Sequence, residues 1–198
     1  TGLLAGMILK IPGEQSGDFK IEDDLLVERV NLLDSTFLRE QINLALLLPF
    51  KANEIVFDSI EDTKKLLQAR NLHTLSLDFY TGVLFAVESA NKRGIKVLLN
   101  TFDTENKVSK LDQIIQELGN KETDFIVGPL IPTNFDYVSN QKVLANTPKI
   151  APLSSNPVVL RENVFQSITQ ANTFRTKMFA YLNRVIDTTQ HVVIVTDS

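Results

Sequence analysis

The feature that most constrains the fold is the run INLALLL at positions 42–48, which is nearly all apolar and is closed by Pro49. A continuous apolar run of this length, ended by proline, predicts a strand that is buried on both faces. Other apolar runs predict further strands at positions 95–102, 124–127, 149–151, 164–168 and 191–195.

Segments with helical spacing separate these strands. Apolar residues three and four apart predict helices over roughly 72–93, 108–118 and 171–185. Gly94 and Gly119 are expected to end the first two helices, and Thr133, followed by Asp136, is expected to open another short helix. This alternation predicts the α/β class, as a three-layer α/β/α arrangement around a doubly wound, mainly parallel sheet.

Composition excludes several classes of protein. With 24 acidic and 20 basic residues the formal net charge is -4, which argues against binding of nucleic acid, because that needs a basic stripe. Cysteine is absent from the sequence, which excludes a disulfide framework, a thiolate nucleophile and a cysteine metal site. The longest apolar run is far shorter than the roughly 18 residues of a membrane helix.

The charge is unevenly distributed and indicates domain boundaries. Residues 13–40 are rich in both acidic and apolar side chains, so they are expected to form an acidic linker that docks in part on the domain after it. Residues 41–187 are expected to be that domain. Because the first residue is Thr1, the chain is expected to be a piece or processed product of a longer protein, with its targeting information elsewhere.

Polar side chains follow the predicted strands. In an open parallel sheet ligands bind beyond the carboxyl ends of the strands, and the helix N-termini there suit a carboxylate or another anion. We therefore predict a site for a small polar ligand formed by Phe50, Asp103, Thr133, Ser154, Ser155, Asn156 and Thr169. Helix capping is an equally good interpretation of the hydroxyl residues, whereas core or lid packing is the favoured interpretation of Phe50 and a solvated loop that of Asp103.

Catalytic patterns are weak. His73 and His191 are the only histidines, and both are expected to face solvent or to cap an element. Neither is placed to serve Ser154 or Ser155 as a base, and the sequence contains no glycine-rich phosphate loop. The sequence therefore predicts no catalytic residue, metal site or cofactor, and a protein that is not an enzyme.

Five segments stand in a recognisable order: INLALLLPF at 42–50, LDFYTGVLFAVESAN at 77–91, DFIVGPLIPTNFDYVS at 124–139, KIAPLSSNP at 149–157 and VFQSITQANTFRTKMFAYL at 164–182. Together they resemble the first lobe of the type I periplasmic-binding-protein fold, the fold of branched-chain amino-acid binders. The resemblance implies a hinged, two-lobed protein with a small ligand between the lobes, a sheet order of 2-1-3-4-5, and a crossover strand toward a second lobe at 188–198.

Two loops that grip the ligand in the amino-acid binders match residues 130–133 and 153–156. In the first loop, Leu130, Ile131 and Pro132 replace serine-rich sequence and leave Thr133 as the hydroxyl, while Ser154 and Ser155 match the small polar pair of the second loop. The phrases ALLLPF and VGPLIPTN are also similar to another branch of the fold, outer-membrane lipoproteins that activate penicillin-binding synthases by protein contact.

The N-terminal segment LLAGMILKIP at 3–12 resembles the closing strand of a LysM peptidoglycan-binding repeat. This resemblance implies that residues 1–12 are a remnant of such a repeat in a Gram-negative envelope protein, in the periplasm or at the outer membrane. Two functions stay open: a solute-binding domain for an amino acid or peptide, and a peptidoglycan-associated scaffold or activator of cell-wall synthases. At least one of the apolar strands near the two ends of the chain is expected to pair between copies and give a dimer.

Overall fold

The computed structural model describes residues 41–56 and 58–186. The predictions for residues 1–40 and 188–198, which include the LysM-like remnant, the acidic linker, the crossover strand, His191 and the strands expected to form a dimer, lie outside the described residues.

Strands and helices alternate along the described chain. The strands are β1 (Gln41–Leu48), β2 (Lys96–Asp103), β3 (Phe125–Val127), β4 (Lys149–Ala151) and β5 (Val164–Gln166). The helices are α1 (Ile60–Gln68), α2 (Leu72–Lys92), α3 (Val108–Gly119), α4 (Pro132–Ser139) and α5 (Ala171–Val185), with 3-10 turns at Ala52–Glu54 and Lys142–Leu144.

The strands form one parallel sheet in the order β2-β1-β3-β4-β5. The predicted α/β class and the predicted order 2-1-3-4-5 are both confirmed. The apolar run INLALLL lies in β1, between two strands, and pairs with β2 along its whole length, from Gln41 opposite Lys96 to Leu48 opposite Asp103. Its apolar character is explained by this position, because a strand with helices on both sides has no solvent face.

The two faces of the sheet are covered unequally. On one face Ala45 and Leu47 of β1 pack with buried side chains of α3, and Val138 of α4 completes this cluster. On the other face Leu46 and Leu48 pack under α2, whose contacting side chains are only partly buried. Helix α5 spans the residues predicted from its apolar spacing, but none of its residues is buried.

Local signals explain where the helices begin, and some predictions need correction. Asn71 caps α2 through a capping box with Thr74, and Gly94 with a φ of 85° follows the end of that helix as predicted. Gly119 is the last residue of α3 rather than a stop beyond it. A Cβ there would lie 2.5 Å from Cγ2 of Val143, so packing against the neighbouring turn accounts for this glycine.

Two further corrections concern α4 and α1. The residue that caps α4 is Ile131, with Pro132 as the first helical residue, so Thr133 does not open the helix. Helix α1 was not predicted, because its sequence IEDTKKLLQ is polar and none of its residues is buried.

Candidate functional site

The carboxyl ends of the parallel strands meet at one edge of the sheet, which we call the carboxyl edge. The predicted site residues fall into two groups along it. Thr133, Ser154, Ser155, Asn156 and Thr169 follow the neighbouring strands β3, β4 and β5, whereas Phe50 and Asp103 follow or end the neighbouring strands β1 and β2.

Asp103 is committed to holding the backbone. Its carboxylate accepts hydrogen bonds from the N–H groups of Lys51 at 3.0 Å, Ala52 at 2.9 Å and Glu105 at 2.9 Å. The side chain thus fastens the loop after β1 to the end of β2. Three of the acceptor positions of the carboxylate are filled by the protein, so Asp103 acts here as a positioning residue.

Phe50 lies at the edge of the core under α2. Its ring meets the ring of Tyr80 edge-on, with centroids 5.7 Å apart. Phe50 also lines a small hollow of about 300 Å³ with Ala52, Ile55, His73, Leu77, Thr101 and Asp103. His73 is 5% exposed, so the expectation that it faces solvent or caps a helix is wrong.

The loop after β4 is held from the neighbouring strand. The side-chain amide of Gln166 donates to the carbonyl oxygens of Ser154 at 2.7 Å and Asn156 at 2.8 Å. The amide of Gln170 donates to Oε1 of Gln166 at 3.0 Å and to the carbonyl of Val158 at 3.2 Å. Within the loop the Oγ of Ser154 accepts from the N–H of Asn156 at 3.1 Å.

Gln166 and Gln170, both half-buried, were missed from the sequence, because glutamines at such positions have no distinguishing pattern. The one available signal was position: Gln166 is the last residue of β5, and Gln170 immediately precedes α5. Both act through the loop that they hold, and neither was expected to contribute to the site.

Thr133, Ser155 and Thr169 present exposed side chains with no hydrogen bond to another described residue. The capping interpretation fails for the two threonines, because the residues at the N-cap positions of α4 and α5 are Ile131 and Gln170, and neither helix has a side-chain cap. Backbone N–H groups in the first turns of both helices are therefore open on the carboxyl edge.

Backbone conformation at this edge is unusual. Of the described non-glycine residues with positive φ, four follow the carboxyl ends of strands: Lys51, Glu105, Asn106 and Leu153. Such conformations cost about 1–3 kcal/mol each and persist only where surrounding structure imposes them.

Charges beside β2 are paired with one another. The carboxylate of Glu105 lies 2.8 Å from Nζ of Lys107 and 3.2 Å from Nζ of Lys110. Hydrogen bonds from these two ammonium groups lower the pKa of Glu105, and the bond that Lys107 donates to Glu105 raises the pKa of Lys107. This part of the edge therefore offers little free charge, in contrast to the uncapped helix starts after β3 and β5.

The described residues show neither a metal-binding cluster nor a membrane-spanning helix. No cluster of three or more histidine, cysteine, aspartate or glutamate side chains that could hold a metal occurs among residues 41–56 and 58–186. Within the same residues, every helix is too short or too polar for a membrane crossing.

Comparisons with known proteins give one structural likeness. No protein-family model and no curated protein matches the chain. Among solved structures it is similar to an ABC transporter substrate-binding protein from Desulfitobacterium hafniense, with a TM-score of 0.47 and 18% sequence identity over 73% of this chain. The chain spans 39% of the length of that protein.

Proposed function

We propose that this chain supplies one lobe of a non-catalytic, extracytoplasmic solute-binding protein. Residues 41–187 are the first lobe in this proposal, and the protein belongs to the periplasm or the outer-membrane-associated envelope. The ligand is a small polar molecule such as an amino acid or short peptide. It binds at the carboxyl edge, against Thr133, Ser154, Ser155, Asn156 and Thr169.

The observation that carries this proposal is the pair of helix starts that no side chain caps. Helices α4 and α5 follow β3 and β5, on either side of the Ser154–Asn156 loop, and each leaves first-turn N–H groups open. The partial positive charge of such termini stabilises an anion. A ligand carboxylate there would replace the missing caps, and the neighbouring hydroxyls would orient it.

Rigidity of the loop supports the same proposal. Ser154 and Asn156 are held through their carbonyl oxygens by Gln166, so their side chains are positioned before any ligand arrives. Preorganisation reduces the entropy cost of binding. Phe50 and Asp103 support the neighbouring part of the edge, and in this proposal they shape the site rather than contact the ligand.

Titration of the ¹⁵N-labelled chain with common L-amino acids and with dialanine tests the proposal. We expect saturable chemical-shift changes in the amides of residues 133–134, 154–156 and 169–172. The double variant S154A/S155A should weaken binding, whereas S109A, an exposed serine in α3, should not. Shifts scattered over the surface, or equal binding by S154A/S155A, would refute this site.

A second function is favoured by the loop after β3. Leu130 is 9% exposed and packs into the core under α2, so this loop is largely apolar where the amino-acid binders have serines. We therefore keep as the alternative a peptidoglycan-associated scaffold, or an activator of cell-wall synthases by protein contact. Co-sedimentation of the chain with purified peptidoglycan sacculi, without amino-acid binding, would support this alternative.

A further inference from the structure

Strand β2 has one edge that no described strand covers. It lies at the end of the sheet and pairs with β1 over all of Lys96–Asp103 on its other side. An uncovered strand edge exposes a row of N–H and C=O groups that can pair with another chain.

Two hydrogen bonds establish which backbone groups face outward. The N–H of Thr104 donates to the carbonyl of Leu48 at 2.9 Å, so even-numbered residues of β2 point toward β1. The N–H of Val97 donates instead to Oδ1 of Asn91 at 3.1 Å, beyond the ladder. Because the direction alternates along a strand, Leu99 and Thr101 point their N–H and C=O groups away from the sheet.

The usual protection of an edge strand is weak here. Residues 97–102, VLLNTF, contain no charged residue and no proline, and β2 keeps an unbroken register with β1, without a bulge. Leu98 is 48% exposed on the α3 face of the sheet, and on α2, which covers the other face, Leu77 and Leu84 are 41% and 43% exposed. These two leucines share a helix face with Asn91, which reaches the outer edge of β2.

We propose that this edge binds the same edge of a second copy of the chain, antiparallel, so that the two sheets become one continuous sheet. The two-fold axis passes beside Asn100. Leu99 and Thr101 then exchange backbone hydrogen bonds with Thr101 and Leu99 of the other copy. The inference does not depend on the proposed ligand.

The sequence of β2 is self-complementary in this register. Leu98 lies opposite Phe102 of the other copy, and the two Asn100 side chains, each a donor and an acceptor, face one another. The two Lys96 residues stand at opposite ends, roughly 27 Å apart at about 3.4 Å per residue, so like charges do not meet. In this arrangement the exposed leucines of the two α2 helices approach each other above the joined sheet. An unrelated peptide would not bring such a matching apolar surface, so we favour a second copy as the partner.

The absence of cysteine from the sequence allows a sharp test with single cysteines. In the proposed register two residues at position 100 form a non-hydrogen-bonded pair with Cβ atoms about 4.5–5.5 Å apart, close to disulfide geometry. Under mild oxidation, most of the N100C variant should become a covalent dimer. The matched variant K96C, on the same strand and face, should remain largely uncrosslinked. Equal crosslinking of N100C and K96C, or none of either, would overturn the proposal.

A second variant tests the edge without crosslinking. In T101P the lost N–H points outward, so the pairing with β1 keeps its hydrogen bonds. Light scattering should give the unmodified chain twice the mass of 22.2 kDa at high concentration and T101P the mass of one chain, with circular dichroism confirming that T101P is folded. A folded T101P that still dimerises, or an unmodified chain that stays monomeric, would contradict the inference.

Discussion

Gly128, directly after β3, is a residue whose side chain must be hydrogen. Its φ is 92°, and a Cβ added there would collide with the carbonyl oxygen of Leu47 in β1. We expect G128A to destabilise the fold by about 1–3 kcal/mol, from backbone conformation alone, with the collision in addition. Urea unfolding measures the change.

The matched substitution is G82A. Gly82 lies inside α2, and nothing stands within 4 Å of the position its Cβ would take. Alanine there should stabilise the chain by about 1 kcal/mol, because glycine is a poor helix former. Equal effects of G128A and G82A would show that backbone strain at residue 128 is not decisive.

Lys149 is a charged residue almost fully enclosed by protein. It is 1% exposed, and its ammonium donates to the carbonyls of Leu144 at 2.5 Å and Thr147 at 2.6 Å. Loss of water around the ammonium, and to a lesser degree the charge of Arg161, lower the pKa of Lys149 in the folded state.

The lowered pKa predicts a pH dependence of stability. Between the folded-state pKa and the ordinary value of about 10.4, the unfolded chain binds more protons, so stability rises with pH in that window. The free energy of unfolding of the unmodified chain, minus that of K149M, should therefore increase as the pH is raised toward about 10.4. Denaturant unfolding across this range measures it, with exposed K142M as the control; a constant difference for K149M would contradict the prediction.

At the scale of elements, the Asp103 carboxylate joins the end of β2 to the loop after β1. In D103N the side chain has one oxygen acceptor for three N–H donors, those of Lys51, Ala52 and Glu105. We expect a loss of about 1.5–3 kcal/mol for each bond to the charge that is broken, and faster hydrogen exchange at the amides of residues 51 and 52.

The control for this variant is D78N. Asp78 is exposed on α2, and D78N makes the same replacement of aspartate by asparagine. Its stability and exchange rates should be close to those of the unmodified chain. If D103N behaved like D78N, the carboxylate would not be what fastens the loop.

The sequence predicts a helix or strand where residues close together in the chain determine it. The apolar run of β1 follows from burial on both faces, and its neighbours in the sheet follow from the alternation of strand and helix. The bonds from Lys51 and Ala52 to Asp103 join residues 52 and 51 positions apart, and no local pattern carries them. In the sequence Gly119 resembles a helix stop. In the structure, the close approach of Val143 explains why this residue is glycine.

The site was predictable only in part for the same reason. The positions of Thr133, Ser154 and Thr169 after strands are local, so the sequence indicates which edge they occupy. Gln166 gains its role by reaching the carbonyls of another loop, and the burial of His73 depends on the fold around it. The apolar spacing of α5 has the same pattern as that of a covered helix, so sequence alone did not reveal its exposure.

At the scale of the whole molecule, burial differs sharply between the helices of the described residues. Phe135 of α4 is 0% exposed, while Phe179 of α5 is 55% exposed. F135A should cost about 3–5 kcal/mol, because it removes a large buried side chain. F179A should change stability by no more than about 0.5 kcal/mol, as is usual for surface positions.

Thermal or urea unfolding of both variants measures this difference in burial between α4 and α5. The same phenylalanine-to-alanine change is made in each, so the comparison isolates burial. A loss in F179A comparable to that in F135A would mean that α5 is covered in solution.

The position of β1 inside the sheet, between β2 and β3, has a consequence for biosynthesis. β1 precedes the strands that flank it, and its hydrogen bond between Asn43 and Asp124 links residues 81 positions apart. A ribosome must therefore extend the chain well past β1 before either neighbour can shield it. During that interval β1 is an uncharged, leucine-rich segment that is not yet paired with another strand. Sequences of this type are prone to aggregate. Synthesis rate and chaperone supply, rather than final stability, should then limit the yield of soluble protein.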